Sequence, residues 1–172
     1  MEVSKYTENI QPFAKDLKLN LQSVLSEEGA PGLSQVQICL IALCCSYAVQ
    51  EKSLIEFILN EGKLADADVN AAKSAAVIMG MNNVYYRFLH LADEKEFSKL
   101  PAKLRMSVIG NPGVAKVDFE LMSLAISAIS GCGMCINAHV EALKKIGTST
   151  EAIQSAVRIA SVIQSNKVYQ SI

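Results

Sequence analysis

The residues of this chain that are best suited to chemistry are two cysteines and a histidine in its last third. Cys132 and Cys135 stand at positions i and i+3, and His139 follows at i+7, a spacing that places all three on one face of a helix. A helix N-terminus and a nearby imidazole both lower the pKa of a thiol from its free value of about 8.5, and the thiolate is the reactive form. The same spacing allows a small disulfide. The motif therefore predicts a dithiol redox centre with its own base.

Two other interpretations of these residues stay open at this point. The cysteines could be buried and act as small apolar side chains. Alternatively, Cys132, Cys135 and His139 could supply three ligands of a zinc site, although the chain has no second Cys-x-x-Cys. Haem attachment is excluded because Ile136, not histidine, follows the second cysteine. A thioredoxin domain is disfavoured because no βαβ pattern surrounds the motif.

Bulk properties narrow the class of protein. The chain has 172 residues, 51% of them hydrophobic, and a net charge of −1, so it fits one domain and has no basic footprint for nucleic acid. Five cysteines and an N-terminus (Met1–Lys5) without a signal-peptide pattern predict a protein of the reducing cytoplasm. Val36–Val49 is too short to span a membrane, and Leu121–Val140 is interrupted by several Ser, Asn, His and Gly residues. No membrane span is predicted.

The periodicity is helical throughout, with no alternating β-type runs. We therefore predict an all-α protein with a single domain over residues 1–172. The expected segments are about 7–25, a helix from about 34, and then 66–89, 104–109, 117–129, 132–146 and 150–168. Glycine and proline mark several of the breaks between them.

An internal repeat predicts that the domain is built on a duplicated helical unit, with halves at about 33–89 and 117–172. One constant offset pairs Gly62 with Gly147, and after a one-position adjustment Asn82 pairs with Asn166. The first of these offsets pairs Glu120 with Gln35, Cys132 with Tyr47, Cys135 with Gln50 and His139 with Leu54. The first half therefore looks like a scaffold and the second like the active half.

The remaining candidate residues are expected to have structural roles or no role that the sequence reveals. Cys39, Cys44 and Cys45 lie in an apolar helix and are expected to be inert core thiols. His90 is not in register with two thiols as His139 is, so we expect it to be structural or exposed. Met79–Met81 and the tyrosines that follow are expected to serve in packing. Glu120 lies on the helix expected before Cys132, and its spacing alone predicts no role.

Taken together, these residues resemble a known family. Glu120, Cys132–Cys135 with His139, the Met-Gly-Met-Asn-Asn-Val-Tyr stretch at 79–85, Arg105-Met106 and Asn111–Gly113 closely resemble the alkylhydroperoxidase D proteins of the carboxymuconolactone decarboxylase-like superfamily. The resemblance runs in order over nearly the whole chain. It implies an all-helical fold on a duplicated unit and a homotrimer.

The resemblance also implies a division of labour. Cys135 would attack a peroxide and become a sulfenic acid. Cys132 would give a proton to the leaving oxygen and then resolve the sulfenic acid as an intramolecular disulfide. His139 and Glu120 would form a proton relay. The residue before the second cysteine is often histidine in this family and is Met134 here, which implies that the relay rests on His139 and Glu120 alone.

Electron donors and partners are implied in the same way. Dihydrolipoamide carried by a lipoyl-bearing dehydrogenase-complex protein would return the electrons. A partner peroxiredoxin, the C component of an alkyl hydroperoxide reductase, would be reduced through an interchain disulfide at Cys135. We therefore predict a cytoplasmic lipoyl-dependent peroxidase and disulfide reductase with no bound cofactor or metal. A non-catalytic helical scaffold or thiol-based sensor is the alternative, and a decarboxylase-type activity is a weaker third.

Overall fold

The protein is built entirely from helices and loops. A computed structural model describes every residue from Met1 to Ile172, and no strand is present. The helices are α1 (Val3–Tyr6), α2 (Lys15–Val24), α3 (Gln35–Val49), α4 (Lys52–Glu61), α5 (Asp66–Leu91), α6 (Ser107–Gly110), α7 (Lys116–Ser130), α8 (Gly133–Lys145) and α9 (Thr150–Tyr169), with 3₁₀ turns at Pro12–Ala14 and Lys95–Lys99. The prediction of an all-α single domain is confirmed.

Helix α3 lies at the centre of the core. Its residues Ile38–Ser46 are all buried, because α4, α5, α7 and α9 pack around it. A helix that is apolar on every side is typical of a fully buried position. Ser34 and Gln37 form a capping box that begins α3, so the start expected near residue 34 is confirmed.

Two boundaries differ from the sequence-based expectation. The segment expected over 7–25 is divided, and its α-helix begins only at Lys15, because Pro12 occupies the start of a 3₁₀ turn. Helix α4 is separated from α3 by Gln50, which adopts a left-handed conformation with φ of 57°. No glycine or proline marks this break, so the sequence carried no ordinary signal for it.

The two stretches considered as membrane segments have other roles. Val36–Val49 lies within the buried helix α3. Leu121–Val140 is divided between α7 and α8 by a turn at Gly131. None of the helices combines the length and the apolar character needed to cross a bilayer.

The helix starts refine the residue pairing between the two halves. Gln35 and Lys52 begin α3 and α4, and Lys116 and Gly133 begin α7 and α8, so that one offset relates both pairs of starts. The offset between the starts of α5 and α9 is larger, because α8 has 13 residues and α4 has 10. The duplication stays a prediction, and the helix starts relate Cys132 to a residue one helical turn beyond Tyr47. The residue before the corresponding helix start is Glu51, the N-cap of α4.

Candidate redox site

A tight turn between α7 and α8 places the first cysteine. Gly131 has a φ of 65°, which suits glycine because it has no Cβ. The N–H of Gly131 donates to Ala128 O and the N–H of Cys132 donates to Ser127 O, both at 3.1 Å. This pattern is the Schellman motif, so α7 ends at the glycine and Cys132 is fixed as the N-cap of α8.

The two cysteines are joined in a disulfide across the first turn of α8, with their Cα atoms 5.3 Å apart. The N–H of Cys135 donates to Cys132 Sγ at 3.3 Å. Cys132 is completely buried, whereas Cys135 is 7% exposed. The two cysteines therefore differ: Cys135 is the less completely buried of the two, and Cys132 is held at a helix N-terminus, where negative charge is stabilised.

His139 and Glu120 form a buried hydrogen-bonded pair. His139 Nδ1 lies 2.7 Å from Glu120 Oε2, and both side chains are largely shielded from solvent. A carboxylate can only accept, so Nδ1 carries the hydrogen and Nε2 is left to take a proton. Glu120 is distant from the thiols along α7, but it meets His139, which is about 10 Å along α8 from Cys132. The packing of α7 on α8 thus connects the carboxylate to the site through the imidazole.

Cys135 and His139 open onto a mainly apolar cavity of about 280 Å³. Its walls come from α5, from α6 with the residue before it, and from α8. The lining residues are Met79, Asn82, Tyr86, Met106, Ile109, Met134, Cys135, Ala138 and His139. Met134, which stands where the family often has histidine, is part of this apolar wall. A small organic molecule in the cavity would lie against both Cys135 and His139.

Polar contacts from α5 hold the turn that carries Cys132. Asn83 donates to Ser130 Oγ at 3.2 Å and accepts from Ser127 Oγ at 3.0 Å. Arg87 donates to Ser130 O at 2.7 Å. Since the Ser127 carbonyl also accepts from Cys132 N–H, these side chains fix the position of the turn beneath the disulfide.

Sequence reasoning missed the contribution of α5. Met79 and Tyr86 were assigned to packing, and Asn82 was given no role, yet all three line the cavity. His90 is exposed as expected, but its Nε2 would lie 3.5 Å from a Cβ on Gly133, so it packs beside the cysteine turn. The only sequence signal for these residues was the Met-Gly-Met-Asn-Asn-Val-Tyr stretch within the family resemblance.

The other three cysteines are remote from this chemistry. Cys39, Cys44 and Cys45 are completely buried in α3, as expected for core thiols. Burial raises the pKa of Cys44 well above its ordinary value, and burial also raises the pKa of Cys39. Both thiols therefore stay protonated and unreactive at neutral pH.

Comparison with known proteins identifies the family. Residues 95–168 match the model of the carboxymuconolactone decarboxylase family. A Coxiella burnetii protein named alkyl hydroperoxide reductase AhpD is 51% identical over 160 residues, covering 92% of this chain and 90% of the relative. Proteins of the same name from Brucella anthropi and Brucella suis are each 50% identical over 167 residues, covering 96% of this chain and 94% of the relative. The chain belongs to the AhpD family, within the carboxymuconolactone decarboxylase-like superfamily.

Proposed function

We propose that this protein is a dithiol peroxidase that reduces alkyl hydroperoxides and is recharged by dihydrolipoamide. Its relatives are named as alkyl hydroperoxide reductases, which supports an alkyl hydroperoxide-reducing oxidoreductase. The observation that carries the proposal is the different placing of the two cysteines. Cys135 shares the cavity with His139, whereas Cys132 lies behind it, completely buried.

The oxidising half-reaction uses both thiols and the His139–Glu120 pair. His139, held by Glu120, takes the proton of Cys135, and the thiolate attacks the terminal oxygen of the hydroperoxide. The O–O bond breaks, Cys135 becomes a sulfenic acid, and the alkoxide takes a proton from Cys132 to leave as the alcohol. The Cys132 thiolate then attacks the sulfenic sulfur. The disulfide forms, and hydroxide leaves as water with the proton held on His139.

The reducing half-reaction opens the disulfide and returns both cysteines to thiols. One thiolate of dihydrolipoamide attacks Cys135, the cysteine that lines the cavity, and Cys132 leaves as a thiolate that the Cys135 N–H stabilises. The second thiol of the donor then releases Cys135 and closes the lipoyl disulfide. A lipoyl-bearing dehydrogenase-complex protein would present this donor. The reduced protein would also pass electrons on to a C-type peroxiredoxin. Cys135 would form an interchain disulfide with that partner, and the partner would be reduced when the disulfide is resolved.

We also propose a cytoplasmic homotrimer. An exposed apolar face on α5 supports self-association: Val77, Val84, Phe88 and Leu91 are between 47% and 76% exposed and recur at helical spacing. Three buried unpaired thiols fit a reducing compartment. Sedimentation equilibrium would test the trimer, and a monomer at all concentrations would contradict it.

Hydroperoxide consumption driven by dihydrolipoamide tests the proposed activity. Wild type should turn over cumene hydroperoxide, Cys135→Ser should not, and Cys39→Ala should behave as wild type because that thiol is buried in α3. If wild type were as inactive as Cys135→Ser while its disulfide still cycled, the thiol-sensor alternative would replace the peroxidase. Zinc bound in stoichiometric amounts to the purified protein would contradict the redox assignment.

A further inference from the structure

Met134 stands between the two cysteines and lines the same cavity. It is 37% exposed, which makes it the most exposed of the chain's six methionines, and it forms part of the cavity wall beside Cys135 and His139. The proposed mechanism gives this side chain no task. A hydroperoxide in the cavity would therefore lie against a thioether as well as against Cys135.

The other two methionines of the cavity wall are better protected. Met79 is only 1% exposed. Met106 is partly buried, and its Sδ accepts a hydrogen bond from the Tyr86 hydroxyl at 3.9 Å, which engages a lone pair of the sulfur. Because oxidation of a thioether begins with attack by such a lone pair, Met134 is the most available methionine of the cavity.

The redox state of the cysteines decides when this thioether matters. In the reduced protein the Cys135 thiolate is a much stronger nucleophile than a thioether, so it takes the first hydroperoxide. In the disulfide form, which the structure shows, neither cysteine holds a thiolate. A second hydroperoxide that arrives before the disulfide is reduced therefore finds Met134 as the most exposed sulfur nucleophile in the cavity wall.

We propose that Met134 is an oxidation site of the disulfide form, and that its conversion to methionine sulfoxide lowers the peroxidase activity when hydroperoxide is in excess over reductant. The sulfur attacks the terminal oxygen of the hydroperoxide, the O–O bond breaks, and the proton of that oxygen passes to the alkoxide. Met134 is oxidised by two electrons to the sulfoxide, and the hydroperoxide is reduced to the alcohol. The oxidation itself requires only a hydroperoxide in the cavity, whereas its effect on activity rests on the proposed peroxidase function.

The effect on activity follows from the polarity of the cavity wall. Met79, Met106 and Ile109 make the rest of the wall mainly apolar, and a sulfoxide adds a polar oxygen beside Cys135. An organic hydroperoxide that covers this oxygen removes it from water. Burial of a polar group without a partner weakens binding by about 5- to 150-fold. Because Met134 is partly exposed, the sulfoxide keeps some of its water, and we expect kcat/KM to fall by about 3- to 10-fold.

Peptide mapping by mass spectrometry tests the oxidation site. The disulfide form of the wild type is treated with cumene hydroperoxide, and the sulfoxide at each methionine is measured over time. Met134 should be oxidised at least about fivefold faster than Met81, which is partly exposed on α5 but does not line the cavity, because the cavity holds the oxidant beside Met134 alone. Cumene, which has the same apolar body without the peroxide group, should slow the oxidation of Met134 and leave that of Met81 unchanged.

Activity after the same treatment tests the consequence. The hydroperoxide is removed, dihydrolipoamide returns the cysteines to thiols, and kcat/KM is compared with that of the same protein before treatment. The wild type and Met81→Leu should lose about 3- to 10-fold. Met134→Leu replaces the thioether by a side chain of similar size that cannot be oxidised, so it should keep its own starting value. Methionine sulfoxide reductases A and B, one for each epimer, should restore the treated wild type.

The results separate this inference from the peroxidase function. Equal oxidation of Met134 and Met81, or oxidation of Met134 that cumene does not slow, would overturn the cavity-directed site. An equal loss of activity in treated Met134→Leu and treated wild type would overturn the effect on activity and leave the peroxidase in place. If the wild type reduced no hydroperoxide through its cysteines while Met134 was still oxidised ahead of Met81, the peroxidase would be wrong and the oxidation site would be supported.

Discussion

Replacing Glu120 by glutamine removes one charge from the candidate site and leaves its shape almost unchanged. Glu120 Oε2 lies 2.7 Å from His139 Nδ1, and the two side chains are only 9% and 13% exposed, so water screens the pair weakly. In the proposed mechanism the imidazole becomes positively charged when it takes the proton of Cys135. The carboxylate stabilises that charged form, and the neutral amide of glutamine stabilises it much less.

The expected size of the effect follows from this single contact. A hydrogen bond to a charged group contributes about 1.5–3 kcal/mol. Because about 1.36 kcal/mol corresponds to a factor of ten, Glu120→Gln should lower the population of the Cys135 thiolate at neutral pH by about 10- to 150-fold. His139→Ala removes the base itself and should lower the rate of peroxide reduction by about 10²–10⁴-fold. Since Glu120 acts through His139, the double variant should match His139→Ala alone.

The assay measures the rate at which iodoacetamide alkylates Cys135 as a function of pH. The Cys132→Ser background isolates one thiol, and serine is itself a good N-cap for α8. Glu141→Gln is the matched control, because Glu141 lies on the same helix as His139 but is exposed and pairs only with Lys145. An unchanged profile in both Glu120→Gln and His139→Ala would refute the relay. A double variant much slower than His139→Ala would refute the claim that Glu120 acts through the imidazole.

Three further predictions concern the turn, the core and the cavity. Gly131→Ala should destabilise the protein by about 1–2 kcal/mol in urea denaturation, because residue 131 has a positive φ. Gly80→Ala, within helix α5, should instead stabilise the protein by about 0.5–1 kcal/mol. An added Cβ meets no other atom at either position, so equal effects of the two substitutions would contradict the argument from backbone conformation. Above about pH 8.5 the Cys44 thiol ionises in the unfolded chain, while burial keeps its pKa higher in the folded protein. The free energy of unfolding should therefore fall as the pH rises, by up to about 1.4 kcal/mol per pH unit. The fall should be less steep in Cys44→Ala. A slope identical in that variant would exclude this thiol as the cause. Met134→His adds an imidazole beside Cys135, so alkylation of Cys135 near neutral pH should accelerate several-fold; slower alkylation would show that the apolar wall matters more.

The elements that could be predicted are those with local signals. The starts of α3 and α5 agree with the sequence-based expectation within a residue or two, because capping residues and apolar spacing are read from neighbouring positions. The break at Gln50 was missed because a left-handed residue other than glycine leaves no mark in the sequence. The helix starts relate the first two helices of each half by an offset about one turn smaller than the one that the identities suggest, because a difference in length between α4 and α8 cannot be placed from identities alone.

The site residues also divide into those that local sequence places and those that only helix packing brings together. The placing of Cys132, Cys135 and His139 along one helix start was determined by the sequence itself, since positions i, i+3 and i+7 on a helix share a face whatever surrounds them. Only the tertiary structure decided that Glu120 meets His139, that Cys135 rather than Cys132 lines a cavity, and that Asn82 of α5 lies in its wall. These contacts depend on how α5, α6, α7 and α8 pack against one another. Local periodicity shows which face of a helix is buried, but not which distant residue it will meet.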